Sequence, residues 1–106
     1  MKETLLEKQF RFSKMVGQLI DFAYANGYQI TLGDAYRDER CPYGHKKSLH
    51  KLRLAIDINL FDEKGNLLKN YSDHRQLGIF WEKIGGTWGG PFNDCNHYSL
   101  SHNGMS

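Results

Sequence analysis

The strongest constraint in this sequence is a run of alternating residues with a carboxylate at its centre. From residue 54 to residue 61 the aliphatic side chains fall on one face of a predicted strand, at Leu54, Ile56, Ile58 and Leu60. Asp57 falls on the opposite face. Because Asp has poor strand propensity and is costly to bury unpaired, this carboxylate must face water, a partner or a metal ion.

A second run of residues with side chains suited to catalysis or metal binding lies near the C-terminus, where Trp-Gly-Gly is followed by Asp94 and His97. A spacing of three lets one tight turn aim both side chains at one point. His50 precedes the strand and can fold back over the face of Asp57, where the small Ala55 is expected to leave space for an ion and a substrate. Two imidazoles, one carboxylate and a water form the open tetrahedral pattern of a hydrolytic zinc centre, with Asp94 as the base beside it.

The remaining pattern predicts two helices. Apolar residues recur at helical spacing from residue 4 to 26, with a capping box at Thr4 and Glu7 and a stop at Asn26-Gly27. A second helix is expected to begin at Ser72-Asp73, to bury a stripe through Leu77, Phe80, Trp81 and Ile84, and to end at Gly85-Gly86.

Strands are predicted around these helices. One runs from Tyr28 towards Arg37, a polar loop follows over residues 38–49, and a hairpin turn at residues 62–65 leads into a return strand. A short last strand is expected at residues 98–100. We therefore expect an α+β fold, with a small, mainly antiparallel sheet and the helices packed on one face.

Composition bounds the function. The 106 residues predict one domain spanning 1–106, and the formal charge of +2 is too small to favour nucleic acid as the main partner. Neither a spanning helix nor a secretory signal is recognisable, so synthesis in a cytoplasm is expected. Cys41 and Cys95 are expected to be reduced thiols, although a bridge between them stays open.

Together these residues resemble the zinc DD-peptidase family. The resemblance rests on His50 to Asp57 with Ala55 between them, followed by Trp-Gly-Gly, Asp94 and His97 in that order, and it covers roughly residues 10 to 101. That family includes D-alanyl-D-alanine carboxypeptidases and phage L-alanyl-D-glutamate endolysin peptidases, and it shares its fold with the hedgehog signalling domain.

The resemblance implies a role for each matching position. The expected zinc ligands are His50, Asp57 and His97. Asp94 would be the general base. Arg37 would hold a substrate carbonyl and stabilise the developing oxyanion, and Ser48 would support the substrate or the loop.

The activity implied is zinc-dependent hydrolysis of a peptide bond in bacterial peptidoglycan. An L-alanyl-D-glutamate endopeptidase and a DD-peptidase both fit, and the size favours a phage endolysin-like lysis enzyme. Such an enzyme would be a monomer that waits in the host cytoplasm and acts on the cell wall after release.

Three parts of the sequence depart from the family pattern. Many relatives have Gly where Arg53 stands, which could alter the floor of the cleft. Many also have Glu where Asp94 stands, and the shorter acid resembles the phage-type branch. The residues after Arg37 also differ from the usual hydroxyl-rich run.

Plainer interpretations remain open for the site residues. His50 and Arg37 also fit ordinary surface residues, and Asp94 also fits a turn residue that caps the following amides. Asp57 also fits a surface salt bridge with Lys51 or Arg53.

Other residues are expected to be structural. The solvent-facing histidines are predicted to be His45, His74 and His102, with His74 near Asp73. Trp88 fits the core and the wall of a cleft equally well.

Two other functional classes also fit the sequence. A zinc-containing binding module of the same fold would keep the metal without catalysis, and a small structural or nucleic-acid adaptor would use the basic loop. A nucleophilic Cys95 is disfavoured, because it would leave Asp57 unexplained.

Overall fold

The computed structural model describes residues 3–33, 52–92 and 94–101 of the chain. Arg37, Cys41, His45, Ser48 and His50 lie outside the described residues, as do the polar loop over residues 38–49 and His102. None of the described helices is long and apolar enough to cross a membrane.

The first helix, α1, covers Leu5–Ala25 and confirms the predicted pattern. The Thr4 hydroxyl accepts from the Glu7 N–H at 3.1 Å, and the Glu7 carboxylate accepts from the Thr4 N–H at 2.9 Å, which closes the capping box. Gly27 follows the C-cap with φ of 86°, a conformation that residues with a side chain rarely adopt. The buried stripe consists of Phe12, Met15, Leu19 and Ala23.

The five strands are short and all antiparallel. They are β1 (Gln29–Leu32), β2 (Ala55–Phe61), β3 (Leu67–Leu68), β4 (Thr87–Trp88) and β5 (His97–Ser99). The order is β1-β2-β5-β4, and β3 also pairs with β2. The strand β1 lies along one edge of β2. The other edge of β2 is shared by β5, which lies opposite residues 55–57, and β3, which lies opposite residues 60–61.

The second helix, α2, covers Tyr71–Lys83 and begins one residue before the predicted Ser72-Asp73 cap. Asn70 is the N-cap instead, because the Asp73 carboxylate accepts from the Asn70 N–H at 3.1 Å and closes the first turn. The chain leaves the helix through Gly85, where φ of 107° requires glycine. A single 3-10 turn at Gly90–Phe92 separates β4 from β5.

The core lies between the two helices and one face of the sheet. Trp81 is fully buried and makes edge contacts with Phe12 at 5.8 Å and Tyr98 at 6.0 Å between ring centroids. Its indole N–H donates to the Ser99 carbonyl at 2.8 Å, so the ring is anchored in one orientation. The predicted α+β fold with a small antiparallel sheet is confirmed.

Two predictions about buried residues are wrong or need correction. His74, expected in solvent beside Asp73, is only 1% exposed and contacts Tyr98 and Leu68. Ala55, expected to leave open space beside Asp57, is itself fully buried in the core cluster. Sequence periodicity predicts which face of an element a residue takes but not how deeply the segments packed against that face bury it.

Candidate metal centre

Asp57 and His97 are direct cross-strand neighbours in the structure. They are paired in the register of β2 and β5, so their side chains leave the sheet on the same face. The His97 Nδ1 lies 3.6 Å from the Asp57 Oδ1, and the two side chains are 16% and 24% exposed. Two of the three predicted zinc ligands therefore meet in a partly sheltered place that solvent still reaches.

Asp94 lies beside this pair, at the turn that leads into β5. Its Oδ2 is 3.9 Å from the His97 Nδ1, and its side chain is 59% exposed. The His97 N–H donates to the Asp94 carbonyl at 3.0 Å, which forms the tight turn expected from their spacing. The carboxylate is thus held near the imidazole but remains open to a water molecule and a substrate.

The donor atoms of Asp57 and His97 fit a shared divalent ion. Tetrahedral zinc, with bonds of about 2.0–2.2 Å to nitrogen and oxygen, holds two donors roughly 3.4 Å apart. The observed 3.6 Å needs only a small adjustment. Within residues 3–33, 52–92 and 94–101, no group of three His, Cys, Asp or Glu side chains forms a complete metal site. The remaining predicted ligand, His50, lies outside those ranges.

Gly89 is a site residue that the sequence analysis did not identify. Its N–H donates to the His97 carbonyl at 2.9 Å, and its carbonyl accepts from the Asp94 N–H at 3.0 Å. A Cβ at this position would lie 2.4 Å from the Asp94 carbonyl oxygen and 3.0 Å from the His97 Cβ. Gly89 therefore holds both ends of the Asp94–His97 segment, and the double glycine in the sequence was the available signal.

Trp88 belongs to the core, which resolves the ambiguity left by the sequence. It is 3% exposed, and its indole N–H donates to the Cys95 carbonyl at 2.7 Å. The ring packs so closely against Gly78 of α2 that a Cβ there would lie 2.0 Å from it. Trp88 thereby ties the turn between Asp94 and His97 to the second helix.

His74 supports the same region from below. Its Nε2 lies 3.2 Å from the Leu68 carbonyl, which can only accept, so this nitrogen carries the proton. Its Nδ1 then accepts from the Tyr98 hydroxyl at 3.0 Å. Burial is the main cause that lowers the pKa of His74 below 6.5, and burial also raises the pKa of Tyr98. Both groups are therefore neutral near pH 7.

Cys95 lies between Asp94 and His97 and is a free thiol. Its Sγ donates to the Lys69 carbonyl at 3.4 Å. Burial, followed by smaller effects of the nearby Asp94 and Asp73 carboxylates, raises the pKa of this thiol. A thiol that holds its proton is a poor nucleophile, which agrees with the sequence-based preference against cysteine catalysis.

Arg53 adopts a left-handed backbone conformation with φ of 59° just before β2. Among the described residues it is the one non-glycine with positive φ. Glycine would adopt this conformation without the steric cost that a Cβ brings. The chain thus retains an arginine at some backbone cost, between the predicted ligands His50 and Asp57.

Comparison with protein families identifies the class. The sequence model of a family described as D-alanyl-D-alanine carboxypeptidase matches residues 43–100, which is more than half of the chain. The chain belongs to this family of peptidases, which acts on peptidoglycan and is generally zinc-dependent. A comparison with curated proteins finds no match.

The matched range includes most but not all of the predicted site residues. It contains Ser48, His50, Asp57, Asp94 and His97, whereas Arg37 precedes it. Within the described residues the structure brings Asp57, Asp94 and His97 together. The roles of Arg37, Ser48 and His50 stay predictions.

Proposed function

We propose that the protein is a zinc peptidase that hydrolyses a peptide bond in the stem peptides of peptidoglycan. The observation that carries the proposal is the cross-strand pair of Asp57 and His97, with Asp94 3.9 Å from the imidazole. His50 would complete the ligand set. Zinc in such a site supplies the Lewis acidity that activates water at neutral pH and polarises the scissile carbonyl.

In this proposal Asp94 moves the protons. Its exposed carboxylate takes a proton from the attacking water as the new carbon–oxygen bond forms. When the carbon–nitrogen bond breaks, Asp94 delivers that proton to the leaving amine. Arg37 would orient the scissile carbonyl and stabilise its developing negative charge, because a guanidinium stays charged and presents several donors in one plane. Ser48 would support the substrate or its loop.

The test is digestion of purified peptidoglycan by the zinc-loaded chain, followed by mass spectrometry of the released muropeptides. We expect new peptide termini, which identify the bond cut. Asp94→Asn should lower the rate by about 10²–10⁴-fold, as expected for loss of a general base. Asp21→Asn, the same change at an exposed position of α1, is the matched control and should leave the rate unchanged.

A zinc-containing binding module is the alternative outcome of this experiment. It would be established if elemental analysis finds zinc in the purified chain while the wild type releases no more termini than Asp94→Asn. A chain that neither contains nor takes up a divalent metal would contradict both functions.

We also propose that the protein is a phage lysis enzyme of the endolysin type. It would be a monomer that stays in the host cytoplasm and acts on the cell wall after its release. The support is the shorter acid at Asp94, which resembles the phage-type branch. Production in the bacterial cytoplasm should leave cells intact until the membrane is permeabilised, and turbidity should then fall. Unchanged turbidity after permeabilisation would contradict this type of activity.

A further inference from the structure

A cleft opens beside Asp94 where two strands share one edge of β2. Residues 58 and 59 lie between the part of β2 that pairs with β5 and the part that pairs with β3, so the two partner strands diverge there. The cleft has a volume of about 290 Å³. That equals roughly ten water molecules at about 30 Å³ each, which is room for an amino-acid residue of a substrate but not for a glycan chain.

The walls of the cleft are tied to each other. The Cys95 thiol on one wall donates to the Lys69 carbonyl on the other at 3.4 Å, and the Ile58 N–H donates to the Asn96 carbonyl at 2.9 Å. His74 lies against the cleft with its ring held by Tyr98 and Leu68. The cleft is therefore formed before any substrate arrives, which reduces the entropic cost of binding.

The charges around the cleft are arranged asymmetrically. Asp94 lines it near the metal centre, and Lys69 lines it on the opposite wall. His74 is neutral near pH 7 because its pKa is lowered by burial. The nearby Asp73 carboxylate accepts from the Asn70 N–H at the start of α2, so its charge is already partly compensated.

The other lining groups suit a peptide. Asn59 and Asn96 provide side-chain amides that can both donate and accept hydrogen bonds. Ile58, Leu67 and Leu68 add an apolar surface. An apolar lining with a few polar groups is the usual composition of a small-molecule or peptide subsite.

We propose that this cleft binds the substrate residue next to the scissile bond and that Lys69 pairs with a free carboxylate on that residue. The proposal rests on the peptidase function above and makes the substrate class more specific: a stem peptide with an unmodified carboxylate near the bond that is cut. Lys69 acts as a specificity residue and takes no part in proton transfer.

The experiment combines a variant with a chemical change in the substrate. Soluble muropeptides are prepared with their carboxylates free or converted to carboxamides, and each is digested by the wild type and by Lys69→Gln. With free carboxylates, Lys69→Gln should raise KM about tenfold, the effect of losing one charge-assisted hydrogen bond, while kcat stays within about twofold. With carboxamides, the two proteins should have the same KM, because the interaction is absent from both.

Lys64→Gln is the matched control. Lys64 lies exposed in the turn between β2 and β3 and does not line the cleft, so its replacement should change KM on neither substrate. If Lys69→Gln has the wild-type KM on free carboxylates, or loses as much on carboxamides, the subsite proposal is overturned while the peptidase function stands. If the zinc-loaded wild type cleaves neither substrate, the peptidase function fails, and the subsite fails with it.

Discussion

The first helix and the C-terminal region differ in how the sequence determines their structure. The C-terminal region comprises residues 86–92 and 94–101. In α1 an apolar stripe faces the core, and a Cβ added at the exposed Gly17 would meet nothing within 4 Å. In the C-terminal region a Cβ added at Gly89 would meet the Asp94 carbonyl at 2.4 Å. A pattern of residue types is enough for the helix, whereas the site depends on individual contacts.

The largest effect should come from the same substitution made in both regions. Gly89→Ala should destabilise the fold by about 2–3 kcal/mol through overpacking and should weaken metal binding, because the new methyl group pushes Asp94 and His97 apart. Gly17→Ala should stabilise by up to about 1 kcal/mol, since alanine favours an exposed helix. Urea denaturation measures both changes.

Zinc affinity distinguishes a role of Gly89 in positioning the metal ligands from a role in stability alone. At a temperature where Gly89→Ala is fully folded by circular dichroism, its zinc affinity in competition with a chelator should still be lower than that of Gly17→Ala. Equal affinities would mean that Gly89 does not position the ligands.

The second effect concerns the buried contacts of His74 with Tyr98 and Leu68, next to the C-terminal region. The fold lowers the pKa of His74, so the unfolded chain binds more protons just below pH 6.5. Stability from this group is present above pH 6.5 and is lost as the pH falls towards the lowered pKa, by at most about 1.4 kcal/mol per pH unit. His74→Gln should show a flatter dependence of unfolding free energy on pH between about 7.5 and about 5.5, the range around the ordinary histidine pKa. Parallel curves for the two proteins would contradict this assignment.

The smallest effect concerns residue 53, just before β2, where the backbone conformation favours glycine but the sequence has arginine. Arg53→Gly should be more stable than Arg53→Ala by about 0.5–1 kcal/mol, because glycine adopts φ of 59° without the steric cost that a Cβ brings. Arg53→Ala keeps the Cβ and removes the guanidinium, so the difference between the two variants isolates the backbone contribution. Equal unfolding free energies for the glycine and alanine variants would show that the conformation costs nothing.

The same contrast explains what could be predicted from the sequence. The spacing of apolar residues located α1, α2 and β2, because each pattern repeats with the period of its element. The turn that holds Asp94 beside His97 was also anticipated, from their spacing of three residues. These features depend on positions close in sequence or on a regular repeat, whereas the approach of Asp57 to His97 joins distant segments and was expected from the resemblance to the family.

What the sequence did not predict depends on tertiary contacts that no local pattern of residue types encodes. His74 looked like a surface residue because its burial arises from Tyr98 and Leu68, neither of which is its neighbour in sequence. The role of Gly89 was not anticipated, because the Asp94 carbonyl that excludes a side chain comes from the returning chain. Single-sequence periodicity carries no information on such approaches.

The pairing of β2 with β5 links the proposed metal site to the correct alignment of the two strands. Asp57 stands opposite His97 in this ladder, and a shift of one residue would bring Ile56 or Ile58 to that place and turn the carboxylate towards the interior. Misaligned molecules would lose their hydrophobic packing and the proposed metal site in the same event. If the proposed site binds a metal, the fraction of molecules in a preparation that bind it would therefore equal the fraction whose strands are in the correct register.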